Sequence, residues 1–82
     1  MTYNDAQDIV KGIIAKQLSM DAGKVKPESR LVEDLGLDSF GAVEVAFELE
    51  EKFELKIPDS ALYEAKTVKD IVDYISSQKG CQ

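Results

Sequence analysis

Apolar residues that recur three and four positions apart, cap-forming side chains ahead of them, and a lack of strand-like alternation predict an all-α fold for this chain of 82 residues. The expected architecture is a small four-helix bundle, three main helices plus one short helix, with a long first loop. At this length the chain can build one modest core, so residues 1–82 are read as a single domain.

The first helix is expected to open at Asn4, whose side chain can cap it, with Gln7 at capping-box spacing. Ile9, Val10, Ile13, Ile14 and Leu18 then form one apolar stripe. Gly12 interrupts it at a cost of roughly 1 kcal/mol relative to alanine, which predicts close packing against a neighbour. Residues 19–38 form a long connection carrying Gly23, Pro27 and Gly36 as breakers. Met20, Val25, Leu31, Leu35 and Leu37 predict that it packs down on the helices, with a short helical turn near Leu31–Asp34.

The second helix should run from Ser39 to about Phe53, with Ala42, Val45, Ala46, Leu49 and Phe53 as its core stripe. Phe40, Val43 and Phe47 fall on the opposite side, among Glu44, Glu51 and Glu54. Two readings of that side stay open. Val43 or Phe47 tucks under the loop or the third helix, or the side is a docking surface with an apolar centre and a glutamate rim. After the extended Leu55-Lys56-Ile57 and the stop at Pro58, Asp59 or Ser60 should cap a short third helix through Tyr63. Thr67 should cap the last helix, with Asp70 at the third position and Val68, Ile71, Val72 and Ile75 as its buried stripe.

Composition removes several function classes. There is no histidine, which excludes imidazole catalysis and imidazole metal ligation. One cysteine, Cys81, cannot form an internal disulfide or a paired-cysteine metal site, and its place next to last predicts an inert thiol. No apolar run approaches the ~20 residues of a spanning helix, and Met1–Asp5 shows no signal-peptide pattern, so a cytoplasmic protein is expected. The net charge of −6 is uneven: residues 1–32 balance to +1, residues 55–82 to zero, and residues 33–54 hold eight acids against Lys52 alone. Such a field repels nucleic acid and anionic membranes and steers basic protein surfaces toward this segment.

Within that segment, Asp34-Leu35-Gly36-Leu37-Asp38-Ser39 leads straight into the acidic helix. The spacing places Ser39 where a turn ends and a helix begins, beside N–H groups without intrahelical partners and the positive end of the helix dipole. A phosphodiester on that hydroxyl would sit in a favourable field. Ser39 has only Asp38 adjacent, and neither lysine nor histidine near it in sequence, so an activated nucleophile and hence an enzyme are not expected. No metal site is expected either.

The run at 34–39, with Val43-Glu44, Leu49-Glu50-Glu51, Phe53, Ile57-Pro58-Asp59, Thr67-Val68 and Asp73-Tyr74-Ile75, resembles the acyl carrier protein family over nearly the whole chain. The resemblance implies that a phosphopantetheinyl transferase attaches 4′-phosphopantetheine from coenzyme A to Ser39. Acyl groups would then be held as thioesters and delivered by a monomeric carrier to enzymes of fatty acid, lipid or polyketide synthesis. Those partners would have basic docking patches, met by Asp38, Phe40, Val43, Glu44, Phe47 and Glu51. Cargo would shelter between helices, where Ala42 and Ala46 leave room. Phe40 replaces the leucine usual after the modified serine, and Phe47 stands where methionine is common. Gly41 stands where fatty-acid carriers usually have aspartate, which would remove an acid from the partner surface. These departures would suit a carrier dedicated to one pathway. The alternative is an unmodified acidic helical module that docks in a basic groove.

Overall fold

The structure, a computed structural model, describes residues 2–79. Its helices are α1 (Tyr3–Leu18), α2 (Ser39–Phe53), α3 (Asp59–Glu64) and α4 (Val68–Lys79), and no strand forms among the described residues. Cys81 lies outside them. α1 packs along both α4 and α2. Val10 and Ile14 of α1, Val45, Leu49 and Phe53 of α2, and Val68, Val72 and Ile75 of α4 close the core. The predicted stripe of α4 is buried in full, and that of α2 is buried except for half-buried Ala42.

α1 begins earlier than expected. Thr2, not Asn4, is its cap: the Asp5 N–H donates to Thr2 Oγ1 at 3.1 Å, and the Thr2 N–H donates to Asp5 Oδ2 at 3.2 Å. Starting there adds Ala6 to the core and brings Tyr3 against α4, where its hydroxyl donates to Asp73 Oδ1 at 2.5 Å. Gly12 is also different from expectation. A Cβ there would have nothing within 4 Å, so no close neighbour explains this glycine.

The long connection does pack down, through buried Val25, Leu31 and Leu37. A single 3₁₀ turn occupies Ala22–Lys24, capped by the Asp21 side chain. Near Leu31–Asp34 the chain makes a hydrogen-bonded turn rather than a helix, with the Asp34 N–H on the Arg30 carbonyl at 3.0 Å. Gly36 leaves that turn at φ +71°, a conformation open to glycine without strain. Arg30 also pairs with Thr67 in an isolated antiparallel bridge. Around the bridge, Leu31 donates to the Lys66 carbonyl, Val68 to that of Ser29 and Lys69 to that of Pro27, at 2.9, 3.1 and 2.8 Å.

Among the described side chains, none caps α3. Pro58 holds the cap position, and its carbonyl accepts the Ala61 and Leu62 N–H groups at 3.0 and 3.2 Å. Its extended conformation, φ −68° and ψ 153°, turns that carbonyl into the helix start, and the fixed φ of proline is compatible with it. At α4 the expected box forms: Thr67 Oγ1 accepts the Asp70 N–H at 3.2 Å, and Asp70 Oδ2 accepts the Thr67 N–H at 3.1 Å.

Candidate functional site

Ser39 is the first residue of α2, and it is exposed. Asp38 is the cap: its Oδ1 accepts the Gly41 N–H at 2.7 Å, while its carbonyl accepts the Ala42 N–H at 2.8 Å. One of the helix-end donors is therefore already taken by a carboxylate. The N–H groups of Ser39 and Phe40 remain without intrahelical acceptors.

Beside Ser39 lies an open groove of about 190 Å³ with apolar walls. Leu31, Val32 and Leu37 line it from the loop, Ala42 from α2, and Leu62 and Tyr63 from α3. A second, smaller and less open space, the inner space, lies between α2, α3 and α4. Ala46, Leu49, Ile57, Ala61 and Tyr74 border it, and Leu62 and Ala65 border both spaces. It encloses only about 20 Å³, little more than one water-sized probe. Of the two alanines expected to leave room, Ala46 faces this inner space and Ala42 faces the outer groove.

Phe40, Val43 and Phe47 are all large and exposed, at 72%, 58% and 61% of full accessibility. Neither Val43 nor Phe47 tucks under the loop or α3, which removes the burial reading. Exposed Glu44 and Glu51 lie along the same helix. Among the described residues, ion pairs join Lys16 to Glu48, and Arg30 to Glu33 and Asp34, but none takes up Glu44 or Glu51. The Arg30 guanidinium beside Asp34 holds that carboxyl below the usual carboxylate range. Part of the acidic segment is thus neutralised internally, while Glu44 and Glu51 carry no ion pair among the described residues.

Two exposed residues were missed: Val32, at 68%, and Tyr63, at 76%, on the far bank of the groove from α2. A loop residue and a residue of a six-residue helix have no period from which to read a face. Gly41 stands in a tight place at the start of α2. It is buried, and a Cβ there would stand 3.1 Å from both Asp38 Oδ1 and Leu37 Cδ1, with Gln17 of α1 at 4.0 Å. Any side chain at 41 would need the Asp38 carboxylate or the Leu37 side chain to give by a few tenths of an ångström.

The model of the phosphopantetheine attachment site family matches residues 8–75. The chain belongs to the acyl carrier protein family. It is 51% identical over 75 residues to an acyl carrier protein of Helicobacter hepaticus, covering 92% of this chain and 99% of that one. It is 50% identical over 72 residues to one from Campylobacter jejuni subsp. doylei, covering 88% and 94%. This acyl carrier protein therefore takes 4′-phosphopantetheine as its covalent cofactor and acts as a carrier rather than a catalyst. The chain fits such a group. It has an exposed hydroxyl at a helix start and an apolar groove running from it. No helix among the described residues is long and apolar enough to cross a membrane.

Proposed function

We propose that Ser39 carries the phosphopantetheine and that the protein delivers acyl groups to enzymes of fatty acid, lipid or polyketide synthesis, as a cytoplasmic monomer. The observation that carries this reading is the position of the Ser39 hydroxyl, exposed at the head of α2 and opening on the groove. When bound, the group supplies a terminal thiol on which acyl groups are held as thioesters. The protein's own residues do the rest. Asp38 fixes the first turn, so the hydroxyl is offered from a rigid point. The unpartnered N–H groups and the helix dipole offset the charge of a phosphodiester there. Tethering then replaces a bimolecular encounter with an effective concentration at each docked enzyme.

The partner face of this proposal is Phe40, Val43 and Phe47, with Asp38, Glu44 and Glu51 around them. Exposed aromatic groups supply contact area, and unpaired carboxylates supply steering toward a basic patch on the transferase or synthase. Intact mass after co-expression with a broad-specificity phosphopantetheinyl transferase tests the assignment. The wild type should gain one phosphopantetheinyl group, and Ser39→Ala should gain none while keeping the helical circular dichroism of the parent. A wild type that stays unmodified would favour the unmodified interaction module instead. A Ser39→Ala protein that still gains the mass would place the attachment elsewhere.

A further inference from the structure

The inner space between α2, α3 and α4 is far below the ~300 Å³ of ordinary ligand pockets. A cargo chain can enter only if a wall moves. Three of the helices are joined by the packed core, to which α3 gives no fully buried side chain among the described residues. Nor does any hydrogen bond among those residues tie α3 itself to another helix. Its fastenings lie at its two ends, and they are unequal. Behind it, Asp70 Oδ2 accepts the Lys66 and Thr67 N–H groups at 2.9 and 3.1 Å, and the Lys66 carbonyl accepts the Leu31 N–H at 2.9 Å. Ahead of it, the half-buried Glu50 reaches out of α2, and its Oε2 accepts the Ile57 N–H at 2.7 Å. Pro58 follows and can donate nothing. Ile57 is also one of the side chains lining the inner space.

We propose that Glu50 is a positioning residue, a latch whose bond to the Ile57 N–H sets how readily α3 swings about its Lys66 end to admit a cargo chain. The proposal rests on the carrier reading above. The family of states is simple. With the bond made, Ile57 closes the inner space. With it broken, the Leu55 N–H still donates to the Glu50 carbonyl at 3.2 Å, but among the described residues no hydrogen bond ties residues 56–58 or the front of α3 to another element, while the rear stays pinned. A short acyl group gains too little burial to open the latch, and a long one gains more with each methylene it hides. Glu50 therefore helps to set the length at which cargo passes from exposed to sheltered.

The test uses the full-length pantetheinylated protein, loaded with butyryl or palmitoyl groups. In the wild type, amide hydrogen exchange at Ile57 should quicken on palmitoyl loading, while Lys66 and Thr67 keep their protection. An Ile57 amide that is equally protected with either cargo would overturn the latch, and this measurement needs no variant. The rate at which hydroxylamine cleaves the thioester then reports shelter. Glu50→Ala should raise the protection of palmitoyl over butyryl about tenfold, equivalent to ~1.4 kcal/mol and close to the low end for a hydrogen bond to a charged group. Glu50→Gln keeps an acceptor and should stay near the wild-type ratio. A Glu50→Ala protein that melts lower yet leaves the ratio unchanged would mean that the bond only stabilises the fold, and the proposal would fall. Intact mass before loading separates this from failure of the carrier reading, since an unmodified Ser39 is seen at that step.

Discussion

Replacing Asp38 tests how the site is held in place. Its carboxylate lies 2.7 Å from the Gly41 nitrogen and closes the first turn of α2. Truncation to alanine leaves that N–H to water and removes a cap, a loss of ~1 kcal/mol within a usual span of about 0.5–2. For a domain of this size such a loss lowers Tm by roughly 4–8 °C. Asparagine ranks with aspartate as a cap, so Asp38→Asn should keep most of the stability and lose only the charge–dipole part, about 0.3–1 kcal/mol. Thermal melts by circular dichroism give the stability of each variant, and initial rates with a broad-specificity transferase give the loading. Alanine should melt lowest and load slowest, because Ser39 then sits on a frayed turn. If Asp38→Ala melts with the wild type, the hydrogen bond contributes nothing and the reasoning fails. If Asp38→Asn melts with the wild type but loads slowly, the carboxylate acts on the partner as well as on the helix.

Three other outcomes are expected. Phe47→Ala should weaken partner binding by about 2 kcal/mol, mainly through faster dissociation, whereas Glu51→Lys should slow association most at low salt; surface plasmon resonance across a salt series would distinguish them. Gly12→Ala should stabilise the protein by about 0.4–1 kcal/mol, since a Cβ meets nothing there and alanine favours the helix; a lower melting point would show that the open position is needed. Stability should also fall in acid. Asp70 is held below its ordinary 3.8 chiefly by the Lys66 N–H, then by that of Thr67, and Asp73 is lowered first by Lys69 and then by the Tyr3 hydroxyl. Their folded values lie below the unfolded ones, so the stabilisation is present above pH ~4 and is lost as pH falls through the folded values. Asp70→Asn should flatten that slope in denaturant titrations run at graded pH, and an unchanged slope would exclude Asp70 as a source.

The parts of the fold that could be read in the sequence are those whose signals are local and repeated. α2 and α4 carry long apolar periods, so their spans and buried faces matched expectation. The start of α1 was ambiguous because Thr2-x-x-Asp5 and Asn4-x-x-Gln7 both have box spacing; only the fit of Ala6 and Tyr3 against α4 selects the first. At α3, Asp59 and Ser60 are good cap formers, yet Pro58 already supplies the geometry. The place of Ser39 at the head of α2, and of Phe40, Val43 and Phe47 on the side away from the core, were legible because all lie on one periodic helix. Val32, Tyr63, the crowding at Gly41 and the Glu50–Ile57 bond join segments distant in sequence or lacking a period, and no local pattern reports them.

The bridge between Arg30 and Thr67 has a consequence for assembly. Together with the three backbone hydrogen bonds around it, the bridge closes residues 30–67 into a ring whose neck lies at the head of α4. Ser39, the exposed side chains of α2 and both banks of the groove are all within that ring. Joining its ends requires contacts between residues far apart in sequence, the kind that form late in folding. A chain whose α4 has not yet docked has no fixed Leu31–Lys66 neck and so no fixed groove beside Ser39. The neck thus makes the serine's surroundings a readout of finished folding, and an enzyme that recognises both banks will pass over an incompletely folded chain.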